Sequence, residues 1–282
     1  MVQPLAFDEI IARHAKQVNG ASIKGLHAGQ RNRLMQESYA YQYAQLEGEH
    51  WWFRARRLIL RDLLAQLKWP PRSKILEIGV GPGHNLLELY PPDARLEGVE
   101  PDPALARFAA ARSPIPVFNA SIDQLPAEIQ EGSYDGVTMF DVLEHIPDDV
   151  QALQIVNRKL KPGGRIALSV PAYMWLWGQQ DVVNQHYRRY TSHELREKLQ
   201  AADFVIERVT YFNTILFAPI AAVRLVARYS GRPHSKEGDF TYVRKSSNPV
   251  LLTLFAAERF FLRRFNFPFG VSLFATARKS ER

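Results

Sequence analysis

The sequence contains no cysteine, so no disulfide framework can hold it together. It has no apolar h-region near its N-terminus, which removes the expectation of a secretory signal. No stretch reaches the roughly 20 uncharged apolar residues that a membrane-spanning helix requires. A cytoplasmic protein is therefore expected. Acidic charge is in short supply: 36 Lys and Arg face 29 Asp and Glu, a formal charge of +7. That balance would serve nucleic acid, an anionic lipid surface or an acidic substrate. With 282 residues the chain can bury one large core, or a core with an appended lid.

What the chain does have is Lys74-Ile75-Leu76-Glu77-Ile78-Gly79-Val80-Gly81-Pro82-Gly83, an apolar strand with a carboxylate near its end, followed by three alternating glycines. Glycines let the backbone turn sharply and approach a ligand closely, in the crevice beyond the carboxyl ends of a doubly wound sheet. A dinucleotide fingerprint needs G-x-G-x-x-G, and His84 stands at its sixth position. The spacing that does fit is E-x-G-x-G-x-G. An acid beside the loop suits a cationic ligand and would repel phosphates.

Strand and helix patterns alternate through the next hundred residues. Residues 96–100 read as a second strand ending in Glu100, an acid placed to grip both ribose hydroxyls of a nucleoside. Pro101-Asp102-Pro103 opens a helix over 104–112, with Pro103 in the first turn where its missing N–H costs nothing. Residues 116–119, 134–140 and 166–170 read as the third to fifth strands, and the alternation argues a parallel sheet.

The ordered set of Glu77-x-Gly-x-Gly-x-Gly, Glu100, Tyr134-Asp135, Leu143-Glu144-His145 and Lys161-Pro162-Gly163-Gly164 resembles the class I S-adenosylmethionine (SAM) dependent methyltransferases, of the type 11/12 kind, over roughly residues 70–210. The resemblance implies an α/β fold with a seven-stranded, doubly wound, Rossmann-like sheet. Its last strand would be antiparallel, with 271–277 the candidate for that strand and 204–211 for its partner. It also implies SAM as cofactor, with Glu77, Gly79, Gly81 and Gly83 near the methionine end, Glu100 and Pro101 at the ribose, and Asp141 at the mouth of the fourth strand. Members often place an acid and an apolar residue after strand three for adenine. Here Ser121 and Ile122 stand there, and Asp123 would substitute if the loop shifts.

Around the core, 71–212 and 270–282, two appendages are expected. Residues 1–70 read as a helical N-terminal extension or lid, with a helical pattern over 38–67 that contains His50-Trp51-Trp52-Phe53-Arg54-Ala55-Arg56-Arg57. Similar Trp-Trp/Arg segments precede the nucleotide fold in a subgroup of these methyltransferases. Arg57 would clamp the SAM carboxylate through a bidentate pair, and Trp52 would face the reacting centre. Residues 213–269 are far too long for a hairpin. They hold two apolar, basic patterns, 215–229 with Arg224 and Arg228 and 250–265 with Arg259 and Arg263, on either side of a polar stretch, 230–248, read as a loop. Such helices suit the plane of a membrane interface, or pack on their own sheet or on a second subunit.

Methylation of a hydroxyl needs a base. His145, after the fourth strand, and His186, after the fifth, are the candidates. Asp141, Glu144 and His145 also form D-x-x-E-H, which resembles a segment of ubiquinone-biosynthesis O-methyltransferases associated with a divalent metal; Mg, Mn or Zn would suit the ligand set. Tyr173 and Trp177 would roof an acceptor, and Arg188 or Arg189 would hold a carboxylate or phosphate. Thr191-x-x-Glu194 reads as a capping box opening the next helix.

The expectation is a SAM-dependent methyltransferase acting on a small or lipid-like acceptor, most simply at oxygen, at the inner face of a membrane if 213–269 binds lipid. A methyltransferase acting on tRNA is the alternative within the enzyme class, although no compact nucleic-acid module is recognisable. A non-catalytic, membrane-associated binding protein on the same fold is the alternative outside it.

Overall fold

The structure, a computed structural model, describes residues 43–229 and 248–281. The first part of the N-terminal extension and nearly all of the polar stretch 230–248 lie outside the described residues. In chain order the elements are α1 (Trp51–Ala65), β1 (Lys74–Ile78), α2 (His84–Glu88), β2 (Arg95–Glu100), α3 (Pro103–Arg112), β3 (Val117–Asn119), β4 (Tyr134–Phe140), α4 (Asp149–Lys159), β5 (Leu160–Pro171), α5 (Gln179–Val183), α6 (Ser192–Ala201), β6 (Phe204–Phe212), α7 (Phe217–Tyr229), α8 (Asn248–Leu262) and β7 (Ser272–Lys279).

The seven strands form one sheet in the order β3-β2-β1-β4-β5-β7-β6. β1 to β5 run parallel, and β7 inserts antiparallel between β5 and β6. The chain order reverses beside β1, and the carboxyl ends of β1, β2, β4 and β5 open on one edge, where ligands bind in folds of this type.

Period-2 alternation sorts the strand residues onto two cores. Met139, Ile166, Leu168, Val170, Leu273 and Ala275 face one side, against Leu153 and Val156 of α4 and Leu195 and Leu199 of α6. Phe140, Ala167, Phe212 and Phe274 face the other, against Ile59, Leu60 and Leu63 of α1 and Phe255 and Leu262 of α8. α8 is therefore part of the sheet's covering layer along one of its faces. Each of the larger of these fully buried side chains contributes about 1.5–3 kcal/mol relative to exposure.

Local chemistry sets the boundaries. Asp102 accepts from the backbone N–H groups of Ala104 and Leu105 and caps α3. Thr191 and Glu194 close the expected capping box on α6. The helical pattern over 38–67 is interrupted at His50, whose Nδ1 accepts from Trp52 N at 3.2 Å and starts α1 afresh. Residues 43–49, helical in their own right, lie over the glycine loop: a Cβ on Gly81 would stand 3.9 Å from Glu47 Oε2 and from Tyr43 Cε1.

Candidate active site

Directly after β1, Gly79, Gly81 and Gly83 all adopt positive φ, 75°, 53° and 86°. At Gly79 a side chain is also barred by space, since a Cβ would lie 2.4 Å from Val142 Cγ2. Glu100, ending β2, accepts from Gly81 N at 2.7 Å and Asp102 N at 3.0 Å, one bond per carboxylate oxygen. A second lone pair on each oxygen is left for a ligand's hydroxyls. Glu77 is buried, and Asn85 Nδ2 (3.0 Å) and Tyr90 OH (2.7 Å) donate to it. It therefore braces the loop from within.

A third acid, Glu47, comes from the 43–49 helix. It is buried, and its Oε2 has no hydrogen-bond partner. Burial pushes Glu77 up to about 7, opposed by its two hydrogen bonds, and the nearby Glu47 raises it further. Glu100 and Glu47 are likewise raised, by burial first. Glu47 thus adds negative charge beside both Glu77 and Glu100 at the glycine loop, an arrangement that fits a cationic ligand group. A pyrophosphate would be repelled.

At the mouth of β4, Asp141 takes a left-handed conformation, φ 56°, which costs about 1–2 kcal/mol. It is held by its N–H on Ser169 O (2.9 Å), by Ser169 Oγ donating to Oδ1 (3.0 Å), and by Arg56 Nη2 at 2.8 Å from Oδ2. Arg56 is nearly sealed, at 5% side-chain exposure, and lies 5.4 Å from the Trp52 ring centre. Arg57, the arginine expected to clamp a carboxylate, is engaged elsewhere. It donates to Glu88 Oε2 (3.0 Å) and to Glu47 O (2.9 Å), so it ties α1 to α2 and the 43–49 helix. Arg56, one residue earlier, faces the centre.

Beyond Asp141 opens a cavity of about 1020 Å³, walled by Trp52, Glu144, His145, Trp177, His186 and Asn213 among others. The three glycines themselves do not line it, but Tyr43, which lies over Gly81, does. The Asp181 carboxylate anchors its floor. Fully buried, it accepts from Gly178 N (2.7 Å), Arg189 Nε and Nη2 (2.8 Å each) and His186 Nδ1 (2.9 Å). Against the effect of burial, His186 and the Arg189 fork hold Asp181 down at about 2. An ionised carboxylate only accepts, so Nδ1 of His186 donates to it, and in the neutral tautomer this bond selects, Nε2 is the acceptor.

The His145 ring meets the His186 ring edge to face at 4.6 Å, and burial followed by His186 pushes His145 down to about 4. Glu144 is fully buried with both oxygens unpartnered. Burial and then the nearby Asp141 raise it well above the ordinary carboxylate value.

Several expected residues are placed differently by the structure. Asp141 lies outside the single 3₁₀ turn 143–145, so D-x-x-E-H does not converge on one point. The side-chain atoms that lie within 4.8 Å of one another belong to Glu144, His145 and His186, while Asp141 is taken by Arg56. An Asp141-Glu144-His145 metal set does not fit this arrangement, and nothing in the comparisons below supports a metal. Arg189 lines the cavity but spends its fork on Asp181. Arg188 pairs with Asp149 at 2.7 Å and donates to Pro147 O at 2.6 Å. Neither arginine is presented to an anion. Trp177 walls the cavity as expected, whereas Tyr173 stacks on Tyr211 at 5.2 Å, and Trp175 lines the cavity in its stead. After β3, Ser121 precedes a 3₁₀ turn in which Ile122 packs on the core and Asp123 is exposed. Pro101 is exposed at the end of β2.

Glu47, Arg56 and Asn213 escaped the sequence reading. Nothing in the helical pattern distinguishes Arg56 from Arg57, and Glu47 acquires meaning only when its helix folds over the loop. Asn213 is fully buried in a left-handed conformation, with both amide atoms unpartnered on the cavity wall. Its position just past β6 was the one available signal.

Comparison with known proteins returns consistent findings. A family model for the methyltransferase domain matches residues 50–209. A probable S-adenosylmethionine-dependent methyltransferase of Mycolicibacterium smegmatis is 28% identical over 165 residues, 57% of this chain and 62% of that protein. The ubiquinone biosynthesis O-methyltransferase of Xanthomonas oryzae pv. oryzae is 33% identical over 102 residues, 34% of this chain and 42% of that protein. The match thus spans less than two thirds of either relative. Among solved structures, the [4+2]-cyclase SpnF superposes with a TM-score of 0.52 at 19% identity, over 78% of this chain and 80% of that one, a likeness of fold alone. Since that cyclase shares the fold, activity has to be argued from the site.

Proposed function

The chain belongs to the methyltransferase domain family, and from that premise we propose that it is a SAM-dependent methyltransferase that methylates a hydroxyl of a small or lipid-like acceptor. The observation that carries the oxygen assignment is the Asp181–His186 pair on the cavity wall, with Nε2 of His186 open as a proton acceptor.

When bound, SAM supplies an electrophilic methyl group on a sulfonium. The chain's own part is to orient and to move one proton. Glu100 holds the ribose hydroxyls, and Glu47, with Glu77 behind the loop, provides the negative field for the cationic end. The Arg56–Asp141 pair stands between the glycine loop and the cavity and fixes the wall against which the acceptor lies. His186 takes the hydroxyl proton at Nε2 as the oxygen attacks, and Asp181 stabilises the imidazolium that results. His145, with a pKa near 4, stays neutral and packs the His186 ring in place. Glu144 and the Asn213 amide, whose polar atoms are unpartnered on the cavity wall, offer hydrogen bonds to a second polar group on the acceptor, and Trp52, Trp175 and Trp177 cover its apolar body. Alignment of donor and acceptor supplies the larger share of the rate, and proton removal about 10²–10⁴-fold.

The O-methyltransferase relative favours a hydroxyl acceptor, and the apolar walls of the cavity favour one on an apolar body. The test is methyl transfer from labelled SAM to a panel of phenols, catechols and hydroquinones with alkyl tails, beside amines of matched size. Turnover on the hydroxyl compounds that falls sharply in His186→Gln supports the reading. Turnover on amines alone, or none that depends on His186, removes the oxygen assignment.

A further inference from the structure

The segment 213–269 holds nine Lys and Arg against three Asp and Glu, so six of the chain's seven net positive charges belong to it. It also holds ten of the seventeen large apolar side chains exposed among the described residues. The two properties meet on α8. One side of that helix, with Phe255 and Leu262, is buried against α1 and the sheet. On the other side Val250, Leu254, Phe261 and Phe265 fall at i, i+4, i+11 and i+15, a single helical stripe. Phe265 stays on the helical ladder by donating its N–H to Phe261 O at 2.9 Å. Val250 is 62% exposed, Phe261 55% and Phe265 62%. A helix whose apolar surface extends well beyond its buried arc is expected to be covered there as well.

The chemistry around the stripe indicates what covers it. At its C-terminal end Arg259 and Arg263 lie over the Phe260 ring, 4.8 Å and 5.6 Å from its centre, and Arg264 is exposed beside Phe265. Among the described residues of the segment the one acid, Glu258, is fully buried and turned inward, where Ile215 N donates to it at 2.7 Å. Asp62 of α1, the carboxylate nearest this end, is engaged by Arg263 at 2.8 Å, so the outward face combines aromatic and aliphatic groups with the positive charge of Arg259 and Arg264. That composition repels a cationic partner and fits anionic headgroups above an apolar layer. Val223 and Arg224 of α7 and Leu251 of α8 also wall the cavity, so the same edge borders the path into it. None of the described helices is long and apolar enough to cross a bilayer, so the contact is with the surface.

We infer that the outward face of α8, with the adjoining rim of α7, docks on an anionic lipid bilayer. The inference does not rest on the methyl-transfer reading, although a lipid-like acceptor would then reach the cavity from the surface on which the protein sits.

The experiment is sedimentation of the full-length protein with vesicles of phosphatidylcholine alone and of phosphatidylcholine containing phosphatidylglycerol. It compares wild type with Leu254→Glu/Phe261→Glu, and SAM affinity, thermal stability and sedimentation velocity are measured on the same preparations. Expected are binding to the anionic vesicles that weakens with added salt, little binding to the neutral ones, and a loss of about tenfold or more in the variant. SAM affinity and stability should stay unchanged. Failure to bind either vesicle, or equal binding by wild type and variant, overturns the inference. So does a wild-type dimer that the variant dissociates, which would make a second copy the occupant. A large drop in variant stability without vesicle binding also overturns it, since another part of this chain would then cover the stripe. Normal SAM binding in any of these cases leaves the proposed activity standing.

Discussion

Arg56 Nη2 lies 2.8 Å from Asp141 Oδ2, joining the first turns of α1 to the mouth of β4. The pair brings a helix that precedes the sheet into contact with the residue that leaves its central strand, at the boundary between the glycine loop and the large cavity.

Because Arg56 is buried, removing its partner leaves an uncompensated charge. Asp141→Asn should lower stability by about 3 kcal/mol, read from urea unfolding at neutral pH. Arg56→Met/Asp141→Asn should cost less than the sum of the two single changes. Additive losses would show that the two side chains are not energetically coupled.

The acids around the glycine loop make cofactor binding pH-dependent. A cation stabilises their ionised forms, so binding releases protons from groups whose pKa values burial has raised. Affinity for SAM should be weak in acid, rise as pH approaches about 7, where Glu77 ionises, and then level off. Calorimetry in buffers of different ionisation enthalpy would measure the protons released. Glu47→Gln should weaken SAM and S-adenosylhomocysteine, which both carry the α-ammonium, by about tenfold, the value of one charge-assisted hydrogen bond. It should leave 5′-methylthioadenosine, which lacks the amino acid, unaffected. An equal loss for all three ligands would place Glu47 in the fold of the lid and not at the ammonium.

His186→Gly should lose about 10²–10⁴-fold in turnover on a hydroxyl acceptor while SAM affinity stays as in wild type. Added imidazole should restore part of the activity. Loss of SAM binding in the same variant would show that the ring's role is structural.

Glu258 offers a stability test away from the site. Burial pushes it up to about 7, opposed by the backbone N–H groups of 213–215. A folded-state pKa above the unfolded value gives stability that is complete below about 4.5 and is lost as pH rises through about 7. The span of about 2.5 units corresponds to about 3 kcal/mol. Glu258→Gln, which has no charge to bury, should flatten this part of the pH profile and be at least as stable as wild type in mild alkali. A variant profile parallel to wild type would assign the pH dependence to other groups.

Much of the sheet could be read directly. β4 matches 134–140 because a run of β-formers is bounded by turn residues on both sides, and the glycine loop follows β1 because an apolar strand must end where three alternating glycines begin. β5 begins earlier than its apolar run, at Leu160, because Leu160 pairs with Tyr134 across a register shift, which no local pattern records. The site was less legible. Arg56 and Arg57 are neighbours about 100° apart on a helix, and the choice between them depends on where that helix docks. The D-x-x-E-H spacing implied a helical face, and the left-handed Asp141 breaks it. The apolar, basic pattern of α8 was visible in sequence, and only the packing shows which side faces the sheet.

The central claim is that the glycine loop and its acids hold SAM. It is tested most directly by calorimetric titration of the purified protein with SAM, S-adenosylhomocysteine and NAD, on wild type and Glu100→Ala, with folding of both checked by circular dichroism. The account predicts saturable binding of the first two, lost or strongly weakened in the variant, and none of NAD. A folded wild type that binds neither sulfur ligand, or binds NAD as well as SAM, would contradict it.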